Sequence, residues 1–450
     1  MRKQLVEGIM RIPPKEDARD APLGERMLAR MKFFRSWAFA LMLIGFGVGS
    51  SSAVALAAPR SPHHARSTES HRASRRAARS TTATPRAEAS GSRVRLTARG
   101  RARAGARRAA LVSRRHRFSE HFTASSFANG NIFSGDVTAG EDPVVRQAAL
   151  DAMGDMNGTA VVIDPSNGRI LAMVNQKLAL SPGAEPCSTI KLTVAMAALS
   201  EGLVTRDTPV RLAGFRMTLT QALAHSNNLY FEELGRELGF ERVRHYANQF
   251  GLGELAGYHI AGEQLGVYPD QELPAREGGV ARMCSFGQGV SLTPLQLGAF
   301  VGAIANGGTL YYLQHPNTQA EAAALRPKVK RTLEIAKYVP ELEDGMAGAV
   351  EYGTARRLRA NFHELPVFGK TGTCSDKGTR FGWFASYSAS PQGSLVTVFF
   401  LEGGRPTFGP RAAELTGAFY RALWDRNWFT SRGQQDAAYF PTSSSRQARP

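Results

Sequence analysis

The chain has 450 residues, with 56 Lys and Arg against 38 Asp and Glu and a formal net charge of +18. That length allows two or three domains. Three cysteines, Cys187, Cys284 and Cys374, are too few for a disulfide-built scaffold, so any folded part has to rest on an ordinary apolar core.

Residues 37–58 form an almost unbroken apolar run, preceded by Arg30, Lys32 and Arg35. About 20 apolar residues span a bilayer, and the basic flank favours an inside N-terminus, so the run reads as a membrane anchor. Its small-residue end, Ala55-Leu56-Ala57-Ala58, fits a cleaved signal peptide equally well. Residues 1–36 are then a basic cytoplasmic segment, or lie before the true start if Met31 opens the signal. Either way the rest of the chain is expected outside the cytoplasm, tethered to the cell membrane or secreted. Residues 59–118 hold seventeen arginines and only two acidic residues, Glu69 and Glu88. With so little apolar surface to offset ordering entropy, residues 59–140 are expected to be a disordered linker. Its charge attracts anionic surfaces without reading any specific nucleic acid.

A folded domain is expected over residues 141–430, with a loose tail at 431–450. Residues 144–156 carry Val145, Ala148, Leu150 and Met153 at near-helical spacing. Two β-branched runs, 159–163 and 170–174, flank Asp164-Pro165-Ser166-Asn167-Gly168 and predict a hairpin. Residues 189–199 are apolar nearly all round, as in a buried helix. Further helices are predicted at 221–238, 241–250 and 295–306, strands at 366–373, 381–388 and 395–401, and a last helix at 411–424. Early and late strands with helices between them predict an α+β fold: a five-stranded antiparallel sheet built from both chain ends, flanked by helices, with a mostly helical lobe inserted.

Three short strings carry chemistry. In Ser188-Thr189-Ile190-Lys191 the lysine lies three residues beyond the serine, on the same helical face, and can reach its hydroxyl. A serine hydroxyl is a poor nucleophile until a base takes its proton. A lysine can be that base once burial or a second cation lowers its pKa. Taken alone, the string also fits a capping serine and a surface lysine, but this helix has no polar stripe for Lys191 to occupy. Ser226-Asn227-Asn228 precedes a helix and by itself fits a plain N-cap. Gly369-Lys370-Thr371-Gly372 lacks the earlier glycine of a phosphate-binding loop, having Glu364 there, and leads into a strand. A strand lysine followed by Gly372, where a ligand can approach the backbone, suits recognition of an anion. His225 has no second histidine at metal-ligand spacing, so neither a metal nor another cofactor is expected.

Together the three strings resemble the transpeptidase domain of the penicillin-binding proteins, a set shared with the serine β-lactamases. The likeness covers residues 144–428. It includes Gly287-Gln288-Gly289, Thr293-Pro294-Leu295-Gln296, Ala305-Asn306-Gly307-Gly308, Val350-Glu351-Tyr352-Gly353-Thr354-Ala355 and Trp383-Phe384. The resemblance implies that Ser188 attacks a D-alanyl-D-alanine peptide of peptidoglycan and that Lys191 is its base. It also implies that Ser226 relays a proton and that Asn228 holds the substrate amide. Lys370 would supply positive charge that depresses the Lys191 pKa and meets the substrate carboxylate, with Thr371 and Thr373 assisting and Gly372 letting the substrate approach the strand. The backbone amides of Ser188 and Thr373 would form the oxyanion hole. β-Lactams would acylate Ser188, and the Arg-rich linker would meet an anionic membrane or wall surface. The rival readings are a serine β-lactamase of the same fold, which would need an added deacylating base, and a non-catalytic penicillin-binding sensor or scaffold.

The chain departs from the family pattern at Cys187, where glycine is common, and at Cys374 after the lysine strand. The two could pair in an oxidising compartment, but adjacency to neighbouring elements does not secure the Cα separation a bond needs. Two inert thiols are therefore the expectation. A disordered basic segment also stands where many relatives carry a folded module.

Overall fold

The computed structural model describes residues 121–390 and 393–431. The apolar run at 37–58, the linker up to residue 120 and the tail beyond 431 lie outside the described residues. Helix α1 spans Pro143–Met153; Asp142 caps it by accepting from the Val144 and Val145 amides, and its proline sits where no backbone donor is needed. Strands β1 (Gly158–Asp164) and β2 (Arg169–Val174) come next as the expected hairpin. They lead to α2 (Gln176–Ala179), a 3₁₀ turn at Cys187–Ile190 and α3 (Lys191–Ser200). The lobe continues through β3 (Val210–Leu212) and β4 (Phe215–Met217), which form a small ribbon, then α4 (Leu219–Ala224), α5 (Asn228–Leu238), α6 (Phe240–Gln249) and α7 (Gly279–Phe286).

Helix α8 (Pro294–Ala305) is buried on nearly every side and opens with a capping box between Thr293 and Gln296. A second ribbon pairs β5 (Thr309–Tyr311) with β6 (Val329–Thr332), separated by α9 (Gln319–Ala324); α10 (Val339–Glu351) closes the lobe. Strands β7 (Val367–Asp376), β8 (Thr379–Ser388) and β9 (Leu395–Gly403) and helix α11 (Gly409–Asp425) complete the domain.

The five-stranded sheet has the order β2-β1-β9-β8-β7, all pairs antiparallel, as the α+β reading requires. Pairing of β1 with β9 brings the early and late strands of the domain together and leaves β7 as an edge. Alternation along β1 explains the layering: Val161 and Ile163 enter one core with α3 and α8, while Ala160 and Val162 enter a second with α1 and α11.

Three expectations need correction. The predicted helix at 221–238 is two helices, because Ser226 takes a positive φ of 54° and Asn227 starts a new one by accepting from the Tyr230 amide. The strand expected to end at residue 373 runs on to Asp376, since a two-residue turn with positive φ at Lys377 and Gly378 suffices to reverse the chain. Residues 121–140, assigned to the linker, pack on the domain. The Thr123 amide donates to the Gly378 carbonyl, Phe127 bridges to Met156, and the buried Ser126 hydroxyl accepts from the Gly404 amide. Asp136 binds Arg146 at 2.8 Å, and Glu141 binds it at 2.9 Å. The periodicity of short polar stretches carries no sign of such tertiary partners.

Candidate active site

Ser188 sits in the 3₁₀ turn ahead of α3, not in the α-helix itself, and Lys191 is the first residue of α3. The turn is pinned by the Thr189 hydroxyl, which donates to the Pro186 carbonyl at 2.6 Å. Everything around Lys191 on α3 is buried, and Lys191 itself is 0% exposed. Its Nζ lies 2.9 Å from Ser188 Oγ, 3.0 Å from the Ser226 carbonyl, 3.3 Å from Ser226 Oγ and 2.6 Å from Asn228 Oδ1. Burial pushes the Lys191 pKa down to about 7; the charge of Glu232, on α5, acts against this. A neutral amine has two N–H groups and one lone pair. The Ser226 carbonyl and Asn228 Oδ1 can only accept, so they take the two hydrogens, and the lone pair is left for the Ser188 hydroxyl.

Ser226 reaches this spot because of the break between α4 and α5. The break is held from behind by α10 and the segment after it. The Thr354 amide donates to the Ala224 carbonyl at 3.1 Å, and a Cβ on Gly353 would lie 2.1 Å from that carbonyl oxygen. The Val350–Ala355 resemblance thus has a physical role, as the support of the Ser226 loop.

Lys370 enters from β7. It is fully buried and donates to Ser226 Oγ at 2.7 Å and to the Thr371 carbonyl at 3.0 Å. Burial, then the charge of Lys191, hold its pKa well below the usual lysine value. Ser226 Oγ therefore stands between two buried amines, neither of which forms an ion pair among the described residues.

Strand alternation divides the β7 residues. Lys370, Gly372 and Cys374 face the Ser188 turn, whereas Thr371 and Thr373 face the other way. The Thr371 hydroxyl donates to Thr354 Oγ1 at 2.7 Å, and Thr373 Oγ1 accepts from the Gly409 amide at 2.8 Å. Gly372 is needed for packing: a Cβ there would meet the Pro186 carbonyl oxygen at 2.8 Å and Thr189 Cγ2 at 3.1 Å. Its expected role, close approach of a ligand, gives way to close approach of the nucleophile turn. Asn228, expected on the substrate amide, has its carbonyl oxygen committed to Lys191, which leaves its NH₂ group for that contact.

The expectation of two inert thiols is overturned. Cys187 and Cys374 form a disulfide with a Cα–Cα distance of 5.5 Å, within the range such a bond needs, while Cys284 is a buried free thiol. The edge position of β7 beside the turn supplies a proximity that the sequence separation of 187 conceals. Sequence reasoning also missed Thr354, Glu232 and Trp383, whose indole N–H donates to the Glu185 carbonyl at 3.0 Å behind the turn. Only the Tyr-Gly-Thr-Ala string and the Trp-Phe pair signalled two of them.

This arrangement, a serine and two buried lysines meeting between a sheet edge and an inserted helical lobe, defines a serine acyl-transfer fold. Residues 158–419 match the penicillin binding protein transpeptidase domain family, and the chain belongs to that family. Stage V sporulation protein D of Bacillus subtilis is 28% identical over 316 residues, covering 58% of this chain and 48% of the relative. Peptidoglycan D,D-transpeptidase FtsI of Escherichia coli K12 is 28% identical over 184 residues, covering 34% and 31%. The chain thus spans about half or less of the length of these relatives. Among solved structures, Pseudomonas aeruginosa PBP2 in complex with WCK 5153 shares the fold, with a TM-score of 0.53 and 22% identity over 64% of this chain and 74% of that one.

Proposed function

We propose that the protein is a serine D,D-transpeptidase that cross-links peptidoglycan stem peptides and is acylated by β-lactams. The observation that carries this reading is the 2.9 Å contact between the buried Lys191 Nζ and Ser188 Oγ, with the Ser226 carbonyl and Asn228 Oδ1 there to take the amine hydrogens. Neutral Lys191 takes the hydroxyl proton as Ser188 Oγ attacks the carbonyl of the penultimate D-alanine. Amides of Ser188 and Thr373 receive the oxyanion. The proton passes from Lys191 to Ser226 Oγ, 3.3 Å away, and on to the departing D-alanine amine. An amine of a second stem peptide then attacks the acyl-enzyme, freeing Ser188 and forming the cross-link.

Lys370 has a part that its surroundings dictate. Two buried amines sharing one hydroxyl repel when charged, and the terminal carboxylate of the substrate supplies the missing counter-charge. The Thr371 and Thr373 hydroxyls, turned the other way onto Thr354 and the Gly409 amide, brace the strand that carries Lys370. The relatives named peptidoglycan D,D-transpeptidase support the substrate class. They also fit action on the outer side of the cell membrane. It is the charge of the Arg-rich linker alone that would draw it to an anionic membrane or wall surface. No helix among the described residues is long and apolar enough to cross a membrane. Residues 37–58, which lie outside the described residues, would provide the anchor on the strength of their apolar sequence alone.

Labelling with a fluorescent penicillin tests the reading. The wild type should take up one label on Ser188 and hold it for hours, and Ser188→Ala should take up none. Labelling at Ser226, or continuous turnover of the drug, would overturn it. In the latter case the chain would be a β-lactamase.

A further inference from the structure

The disulfide joins the residue before Ser188 to the residue after Thr373. Ser188 and Thr373 are the two residues whose amides form the oxyanion hole in the acyl-transfer reading. Resting on that reading, we infer that the Cys187–Cys374 bond is a positioning device for acyl transfer, fixing the spacing between the Ser188 and Thr373 amides. Three features of the structure point there.

First, the two donors belong to elements with no ladder between them. Thr373 is on the sheet's edge strand, and Ser188 is in a 3₁₀ turn whose own hydrogen bonds are internal or reach Lys191. Further ties are the seating of Gly372 on Pro186 and Thr189, the Trp383 bond to the Glu185 carbonyl, and the indirect link from Lys370 through Ser226 and Lys191. Packing of this kind leaves an edge strand free to slide by a fraction of an ångström, whereas a covalent bridge one residue from each donor does not. Displacing a reacting group by about 1 Å is enough to lower a rate ~10²-fold.

Second, Cys187 has a φ of +51°, a conformation that glycine adopts without strain and other residues do not. A side chain here is useful for what it bonds to. Third, the bond lies on the face of β7 that carries Lys370 and Gly372, the face turned to the nucleophile. Cys187 is 0% exposed while Cys374 is half-buried, so a reductant reaches the bridge from the Cys374 side.

The test uses the full chain in three states: wild type, the double variant Cys187→Gly with Cys374→Ala, and wild type reduced with dithiothreitol. Reduction delivers two electrons and two protons to the bridge, giving two thiols, while the reductant closes to its cyclic disulfide and is then removed without oxygen. Glycine at 187 suits the positive φ, so strain does not cloud the comparison. For each state, stopped-flow mixing with a fluorescent penicillin separates encounter affinity from the acylation rate constant, and the final labelled fraction counts competent molecules.

A positioning bridge predicts an acylation rate constant about tenfold lower in both altered states, with encounter affinity and labelled fraction within twofold of wild type. Reoxidation of the reduced protein should restore the rate. If the bridge only stabilises the fold, the melting temperature or the labelled fraction falls while the rate constant of the labelled molecules stays at the wild-type value, and the inference is wrong. Should the double variant not fold, the reduced wild type carries the same measurement. A wild type that does not acylate at all would instead remove the acyl-transfer reading, and this inference with it.

Discussion

Two groups of buried charge lie at opposite edges of one sheet, and they are built on opposite plans. Beside β2, Arg146 is gripped by Asp136 and Glu141 at 2.8 and 2.9 Å. The same carboxylates accept from the Asn175, Gln176 and Met173 amides, and Glu141 also meets His315 at 3.1 Å. Burial works against the Arg146 charge, but its two carboxylate partners more than offset this and raise its pKa. Beside β7, Lys191 and Lys370 are buried with neutral hydrogen-bond partners and form no ion pair among the described residues. The Glu232 charge only partly opposes the effect of burial on Lys191, and both pKa values fall. A buried charge with its counter-charges in place fastens segments together. Buried amines without counter-charges are poised to lose or regain a proton, which is the property acyl transfer needs.

Exchanging the character of each group should separate the two plans. Lys191→Met removes the base and should lower the acylation rate constant by ~10²–10⁴ while leaving the melting temperature close to wild type, because no ion pair is broken. Rates measured against a matched thermal melt decide it; a collapse in stability with normal acylation would mean the two groups had been misassigned. Arg146→Met should do the reverse. It leaves Glu141 and Asp136 buried without their cation, a loss of about 3–5 kcal/mol. Urea unfolding should show that loss, and the acylation rate constant of the folded fraction should stay within twofold of wild type.

The group proposed for catalysis was far more legible in the sequence than the structural one. Ser188, Lys191, Ser226, Asn228 and Lys370 stand in short strings whose chemistry restricts their spacing, and the structure brings all five together. The sheet was legible too, since β1, β2, β8 and β9 are β-branched or aromatic runs. Asp136, Glu141 and Arg146 fall in a polar stretch and on a helix, and their partners Met173 and His315 are remote in the chain. No local pattern encodes such a contact. The Cys187–Cys374 bond was hidden for a related reason: it depends on which strand becomes the sheet edge. Helical periodicity continues across Ser226 and hides the break there, although the Ser226-Asn227-Asn228 string already fits an N-cap, the role Asn227 takes in the structure.

The depressed Lys191 pKa gives the comparison a pH axis. Acylation requires the neutral amine, so the rate should rise with pH through about 7, flatten above it, and fall roughly tenfold per unit below. The sign for stability comes from the same group. Between about 7 and the ordinary lysine value the unfolded chain binds the extra proton, so the Lys191 contribution to stability increases with pH across that window. Arg146, whose pKa is raised from an already high value, contributes no such slope near neutrality. A rate profile flat from pH 5 to 9 would remove Lys191 from the role of base.

The smallest effect should come from Thr354, which touches neither lysine but joins the two sides of the site. Its hydroxyl accepts from Thr371, next to Lys370 on β7, and its amide donates to the Ala224 carbonyl, two residues before Ser226. Thr354→Val keeps the shape and the amide bond and removes only the hydroxyl. The Thr371 hydroxyl, in a residue 4% exposed, then loses its partner, at a cost of about 1–3 kcal/mol. If that loss is absorbed by the fold alone, urea unfolding reports all of it and acylation is unchanged, as for Arg146→Met. We expect a division instead. Thr371 shares the strand with Lys370, and any turn of its backbone moves the lysine that donates to Ser226 at 2.7 Å. A three- to fivefold lower acylation rate constant, with the pH midpoint still near 7, would place Thr354 with the reactive group. An unchanged rate would place it with the charges that only hold the fold.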